Sequence, residues 1–362
     1  MHALSSLWFS IQTKLFPALE EELDPLTEKQ KQFVTVMELL GCQPLPAACR
    51  WWGNGRKPKD RKALLKAFVA KAVYNFATTE LLVENLSCKN LRRLCGWEHQ
   101  SEIPSLSTFS RAFAQFAEGD WLVKMHEAMV RNHYGDKLAG HVSRDSTAIS
   151  AREKLAKKMA KPPEPKRKQG RPKNDEERAP KELKRLELQP NRSLEENLAD
   201  LPCICDVGSK KNSKGRIESW IGYKLHADVV DGDIPVSLVL TSASVHDSQV
   251  AIPLAQISTG RVESLYDLMD AAYDAEEIKK YSKRLGHVPL IDNNPRRGKK
   301  IPLAPAEKAR YRNRTSAERV FSMLKDNHGG SNIRVRGPQK VMAHLMFGML
   351  VITATQLVRL LL

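Results

Sequence analysis

The amino-acid sequence predicts an α/β chain in which a mixed sheet flanked by helices, over residues 136–362, follows an all-α region over residues 1–135. Three observations lead there. The stretch before residue 135 carries helical periodicity and turn residues in place of strand patterns. Residues 220–241 read as two β-rich runs around the hairpin signal Val230-Asp231-Gly232-Asp233. Beyond them helical and strand patterns alternate, and 362 residues suffice for a large core and more than one domain.

The elements follow in order. EEELDPLTEKQKQFVTVMELL ends in apolar residues at helical spacing, and Gly41 stops it. A basic loop follows, with Trp51, Trp52 and GNGRKPKDRK. One helix is expected over residues 61–76 and another around LRRLCGW. In IPSLSTFSRAFAQFA, Ser107 reads as the N-cap, and Phe109, Phe113 and Phe116 share one face. Two readings fit this pair: a helix-turn-helix with Arg111 on the exposed side of its second helix, or a plain bundle packed beside the next domain.

GHVSRDSTAIS (140–150) reads as a strand. Residues 151–202 interrupt the pattern, and 154–173 carry nine basic residues and one acid, as expected of an exposed, mobile insertion. Within it KRKQGRPK, which contains Arg171, resembles an AT-hook, whose extended Arg-Pro suits a narrow, electronegative minor groove. A solvated basic loop that touches phosphates is the other reading. Strands at 220–229 and 234–241, a helix at 248–257, a strand at 264–269, a helix at 275–285 and a strand at 287–291 come next. A long helix over 306–325 is opened by Pro305 and closed by Gly329-Gly330, and the last helix starts near Pro338. Three strands able to pair as antiparallel neighbours, followed by alternating helices and strands, match the ribonuclease-H-like fold.

Lys and Arg number 58 against 42 Asp and Glu, a net charge of +16. Such a surface favours a polyanion, with nucleic acid the first candidate, and does not separate DNA from RNA. The six cysteines form no C-x-x-C pair, which argues against a zinc finger and for reduced thiols in a cytoplasmic protein. The start of the chain lacks a signal-peptide pattern. Residues 341–362 are apolar enough to raise a membrane span, but His344, Gln356 and Arg359 interrupt the run, and a packed core helix is expected.

Two-metal phosphoryl transfer needs carboxylates converging on ions roughly 3.5–4 Å apart. Asp145 lies in the first strand and Asp270 at the end of the fourth; an aspartate among apolar strand residues is unfavourable without a partner, and a metal is one such partner. A third acid stands in YRNRTSAERVFSMLKDN. At about 100° per residue Tyr311, Arg314, Glu318 and Lys325 fall on one helical stripe, suited to a metal and a phosphate. A salt-bridged surface stripe, with Arg314 and Glu318 as an i, i+4 pair, explains the same spacing.

The segment Tyr311-x2-Arg314-x3-Glu318-x6-Lys325 resembles, without gap or substitution, the signature of bacterial insertion-sequence transposases with a DDE domain. RDSTAI around Asp145, GYKLH at 222–226, SVHD at 244–247, DAAYDAE from Asp270 and GGSNIRVRGPQKVMAHLMFG are similar to that family's other motifs, and LRRLCGW…IPSLSTFSRAF to the helical domain that precedes it. The resemblance covers residues 60–362. It implies Asp145, Asp270 and Glu318 as ligands of two Mg²⁺ ions, with Mn²⁺ able to substitute. It also implies Tyr311, Arg314 and Lys325 as contacts to double-stranded DNA, and a homodimer that pairs two element ends. Arg171, Lys224 and Arg111 are further candidate DNA contacts. Asp270 is preferred to Asp267 because the pattern places its acid before x-x-Tyr, here Tyr273. Asp274, Asp206, Asp247, His226 and His246 are read as structural partners. Some relatives carry a β-rich insertion between the second and third acids; only 47 residues separate Asp270 from Glu318, which puts in doubt a hairpin step that depends on it. A nuclease of the same fold, or a catalytically silent DNA-binding derivative, are the alternative functions.

Overall fold

The computed structural model describes residues 2–362 apart from 42–43, 54, 56, 157–182, 212–214, 296–298 and 300. Up to residue 134 the regular elements described are all helical: α1 (His2–Ser10), α2 (Phe16–Glu22), α3 (Glu28–Leu40), α4 (Arg61–Val73), α5 (Thr79–Asn85), α6 (Lys89–Cys95), α7 (Leu106–Phe116) and α8 (Trp121–Tyr134). Local signals explain the ends. Thr27 and Gln30 form a reciprocal capping box on α3, and Gly41 closes it at φ 62°. On α7 the cap falls on Ser105, not Ser107. Pro104 leads in, and the Ser105 carbonyl already accepts the first helical bond, from Thr108 at 2.8 Å. Residues 96–105 separate α6 from α7, so the tight turn of a helix-turn-helix is absent. Instead Phe109, Phe113 and Phe116 pack on Phe68 of α4, with ring centroids at 5.8, 5.1 and 6.2 Å.

The sheet contains β1 (Leu138–Ser150), β2 (Asp206–Lys211), β3 (Ile217–Val230), β4 (Ile234–Ser242), β5 (Glu263–Met269) and β6 (Val288–Ile291). The helices that accompany it are α9 (Arg185–Leu188), α10 (Leu194–Asp200), α11 (Ala251–Thr259), α12 (Glu276–Arg284), α13 (Pro305–Tyr311), α14 (Thr315–Asn327) and α15 (Pro338–Arg359). β3 runs antiparallel to β1 and β4, while β5 runs parallel to β1 and β6 to β5. This is the ribonuclease-H-like arrangement: an antiparallel trio extended by two parallel strands. β2, unforeseen in the sequence, pairs with residues 217–222 of β3, and β4 takes the remaining 223–230 on the same side. The handover sits at Gly222, where a Cβ would meet the Ile149 carbonyl oxygen at 2.2 Å.

Two further expectations are corrected, and a third falls outside the described residues. Residues 183–202 are not a mobile insertion: Gln189 donates to the Gln249 carbonyl at 2.7 Å and Asn197 to Gln256 at 3.0 Å, which docks α9 and α10 against α11. The AT-hook-like segment with Arg171 lies outside the described residues. The single helix expected over 306–325 is two helices joined by a 3-10 turn at Arg312–Arg314, where Ser143 of β1 donates to the Arg314 carbonyl at 2.5 Å.

The core has two faces. On one, Arg144 of β1 forms a two-pronged bridge to Asp228 of β3, both bonds 2.7 Å, and Ser258 of α11 adds a third bond to Asp228 at 2.6 Å. Burial opposes the charge, but the Asp228 carboxylate keeps Arg144 ionised. The other face lies under α14 and α15. α15 is long and apolar enough to cross a membrane, yet 83% of its apolar window is buried within the protein, between α3, α4 and α8 and strand β4. Phe347 of α15 meets Phe68 at 5.6 Å, and Thr353 bonds the buried His126 of α8 at 3.0 Å. It is a core helix shared by both halves of the chain. Cys49, Cys88, Cys95, Cys203 and Cys205 are free thiols.

Candidate active site

Alternation along β1 sends Asp145 and Thr147 to the face opposite Arg144. Thr147 and Ser143 meet the Lys325 and Arg314 segments there. Asp145 sits across from Ala227, and its parallel neighbour β5 ends at Met269, one residue before Asp270. Asp270 caps the 3-10 turn Ala271–Tyr273 by accepting from the Ala272 amide at 2.9 Å. The middle of β1 and the end of β5 thus hold two acids beside each other on rigid backbone.

Electrostatics records their proximity. Burial pushes the Asp145 carboxyl up to about 6; the Ser146 amide works against that, and the charge of Asp270 adds to it. Asp270 is likewise raised, by burial first, with Asp247 adding to the effect against the Ala272 amide. Asp247 behaves differently. Burial disfavours its charge too, but its carboxyl is held below the usual range. His226, fully buried and pushed down to about 4, is neutral near pH 7, so Lys224, at 2.9 Å, is the cation that compensates Asp247.

Glu318 sits in the first turn of α14 and is half exposed. Arg314 lies between it and the strand acids, donating to Glu318 at 2.5 Å and to Asp145 at 3.4 Å. The 3-10 turn brings Tyr311 under Arg314, with the guanidinium carbon 5.9 Å from the ring centroid. Burial raises the Tyr311 phenol to about 12. Lys325, two turns along α14, donates to Thr147 at 2.6 Å. The structure therefore sets Asp145 and Asp270 side by side, links Asp145 to Glu318 through Arg314, and places Tyr311 beside Arg314, with Lys325 on the same face.

The other sequence candidates occupy different surroundings. Lys224 is committed to Asp247 and the Val245 carbonyl and is 14% exposed. Arg111 is exposed on α7 and folds back to Ser107 and Thr108. Asp267 is buried against His287 and Ser282. Asp274 pairs with Lys279 at 2.5 Å, Asp206 accepts from Ser244 at 2.6 Å, His226 meets Thr241 at 2.9 Å, and His246 caps the turn at Ser248. One residue of the site was not singled out for a role: Tyr273, whose fully buried hydroxyl feels Asp247, Asp145 and Asp270 and has no hydrogen-bond partner among the described residues. Its place three residues past Asp270, as the tyrosine of the x-x-Tyr pattern, was the signal that could have found it.

Among the described residues no three His, Cys, Asp or Glu side chains are gathered closely enough to hold an ion. Arg314 stands where a cation between Asp145 and Glu318 would stand. The donor set still fits a hard divalent cation. It is all carboxylate oxygen, two of its acids are raised by burial and by neighbouring carboxylates, and an orphaned phenol lies near them.

A ribonuclease-H-like sheet with one acid within β1, a second just past β5 and a third on α14 carries the kind of carboxylates that metal-dependent phosphoryl transfer uses. A family model described as Transposase DDE domain matches residues 139–354, and one described as Transposase domain (DUF772) matches residues 21–115. The chain belongs to the insertion-sequence transposases with a DDE domain, a family that acts on DNA and generally uses divalent metal ions. A comparison with curated proteins returns no match.

Proposed function

We propose that this transposase binds the ends of its insertion sequence, cuts them by metal-dependent phosphodiester hydrolysis and joins the freed 3′-OH to target DNA, working as a homodimer in the bacterial cytoplasm. Residues 136–362 form its catalytic domain and residues 1–135 its helical partner domain. Asp145, Asp270 and Glu318 hold two Mg²⁺ ions, or Mn²⁺. Bound there, the ions supply Lewis-acid charge to the attacking oxygen and to the phosphate. The protein's own groups position the rest. Arg314 moves its charge from the acids to the phosphate, Tyr311 backs its guanidinium, and Lys325 holds the strand beyond.

The observation that carries this reading is the Asp145–Asp270 pair, two neighbouring carboxyls raised by burial, with the Arg314 guanidinium 3.4 Å from Asp145. The test is cleavage of a labelled fragment bearing the gene-flanking DNA, with Mg²⁺ or Mn²⁺, by wild type and Glu318→Gln. Nicking followed by joined products from wild type alone supports the proposal. Cutting without joining makes the protein a nuclease. Binding without cutting by either protein makes it a silent DNA-binding derivative.

A further inference from the structure

Away from the acids, a cleft of about 490 Å³ opens where the helical region meets the sheet region. Its rim carries Lys71 of α4, Arg152 just past β1, Arg334 and Arg336 between α14 and α15, and Lys340 in the first turn of α15, against the single acid Glu80. None of the five cations is in an ion pair among the described residues. Phe68, Phe113 and Phe347 form its apolar floor. The two histidines of its wall bring no negative charge: His328 donates to the Ala72 carbonyl and His344 to the Gly329 carbonyl.

Such an arrangement is costly unless an anion enters it. A half-buried ammonium with like charges for neighbours loses hydration without gaining a counter-ion. The cost is visible at Lys71, which burial first and Arg334 second push down to about 8. The cations come from four separate segments, one in the family region matched at 21–115 and three in that matched at 139–354, so the cleft exists only in the assembled fold.

We infer that this cleft is a second phosphate site, which grips the phosphodiester backbone of the same DNA molecule whose cleaved phosphate lies at the acids. Its place on the strand argues for this. Thr147, bonded by Lys325, is two residues along β1 from Asp145, and Arg152 lies five further on. β1 ends at Ser150, and the five extended residues from Asp145 to it span roughly 17 Å at about 3.3 Å each, with Arg152 in the bend beyond. Along duplex DNA that distance is about five phosphates of one strand. Asp145, Lys325 and the cleft thus form a line on which one bound segment is held at both ends. The inference rests on the DNA reading above and adds to it where the DNA runs.

The experiment uses the full chain in EDTA, with a labelled duplex of the gene-flanking DNA, and follows affinity against salt concentration. Wild type is compared with Lys71→Gln/Arg334→Gln and with Arg334→Gln alone, an exposed position whose change spares the fold; melting curves accompany each. The double variant is expected to bind about ten-fold more weakly, with a salt slope shallower by about one to two units, at roughly 0.9 per lost phosphate contact. In wild type, an amine-reactive reagent should label Lys71 in the free protein and be blocked by the duplex. Unchanged affinity and slope, with Lys71 labelled equally in both states, would overturn the second site while leaving the DNA reading intact. Failure of wild type itself to bind the duplex would overturn the DNA reading, and the cleft assignment with it.

Discussion

Replacing Arg144 by methionine should unfold more of this protein than any single change at the acids. Arg144 is 2% exposed and Asp228 fully buried. The two 2.7 Å bonds and the Ser258 bond satisfy the Asp228 carboxylate. Without the guanidinium, that carboxylate stays buried with the Ser258 hydroxyl as its remaining donor. Breaking one side of such a pair costs about 3–5 kcal/mol, most of it the uncompensated charge. With an unfolding entropy near 2.1 cal/mol/K per residue, 362 residues convert this to a fall in Tm of roughly 4–7 °C. Arg144→Met/Asp228→Leu removes both charges and should recover most of the loss, because an apolar pair of similar volume meets no desolvation cost. Thermal unfolding of the two single variants and the double gives the coupling directly. The loss should also persist at high salt, since a buried pair is little screened. A single variant within ~1 kcal/mol of wild type, or a double variant as damaged as the sum of the singles, would refute the account.

Other outcomes can be checked alongside. Asp145→Asn should abolish cleavage and, in EDTA, melt at or above wild type, since it removes a buried charge beside Asp270; added Mg²⁺ should raise the melting temperature of wild type alone. His126 is fully buried and pushed down to about 3 by burial, so it stays neutral in the fold while the unfolded chain gains a proton below pH 6.5. Stability is therefore retained above that pH and lost below it, by about 3 kcal/mol at pH 4.5, and His126→Gln should flatten that acid limb of a Tm-against-pH curve. Gly222→Ala should cost about 1–3 kcal/mol or more in chemical denaturation, because its Cβ would strike the Ile149 backbone 2.2 Å away.

Much of the sheet was legible because its signals are local. The apolar runs of β3 and β4 flank Asp231-Gly232-Asp233, and SLYDLM announces β5. β2 was not legible: DVGSKK offers one large apolar residue, and it becomes a strand only because the first half of β3 leaves an edge free. The helices at 185–200 were hidden by the basic run before them, and their order comes from polar bonds to residues 249 and 256, sixty positions away. Ideal helical geometry placed Tyr311 and Arg314 correctly on one side of Glu318 but missed the 3-10 turn between them, which depends on Ser143. Asp145, Asp270 and Glu318 were readable as acids in motifs. The counter-charge from Arg314 and the orphaned Tyr273 hydroxyl were not, since both arise from packing between distant segments.

The placement of α15 has a consequence for the order in which the protein matures. Phe68 and His126 need Phe347 and Thr353 to complete their surroundings. Those residues leave the ribosome more than two hundred positions after α8, an interval of roughly 10–40 s at 5–20 residues per second. Throughout it the aromatic face of α4 and α7 stays uncovered. The helical region therefore cannot complete its packing until α15 has been made, and a chain truncated before residue 338 leaves the aromatic face of α4 and α7 open.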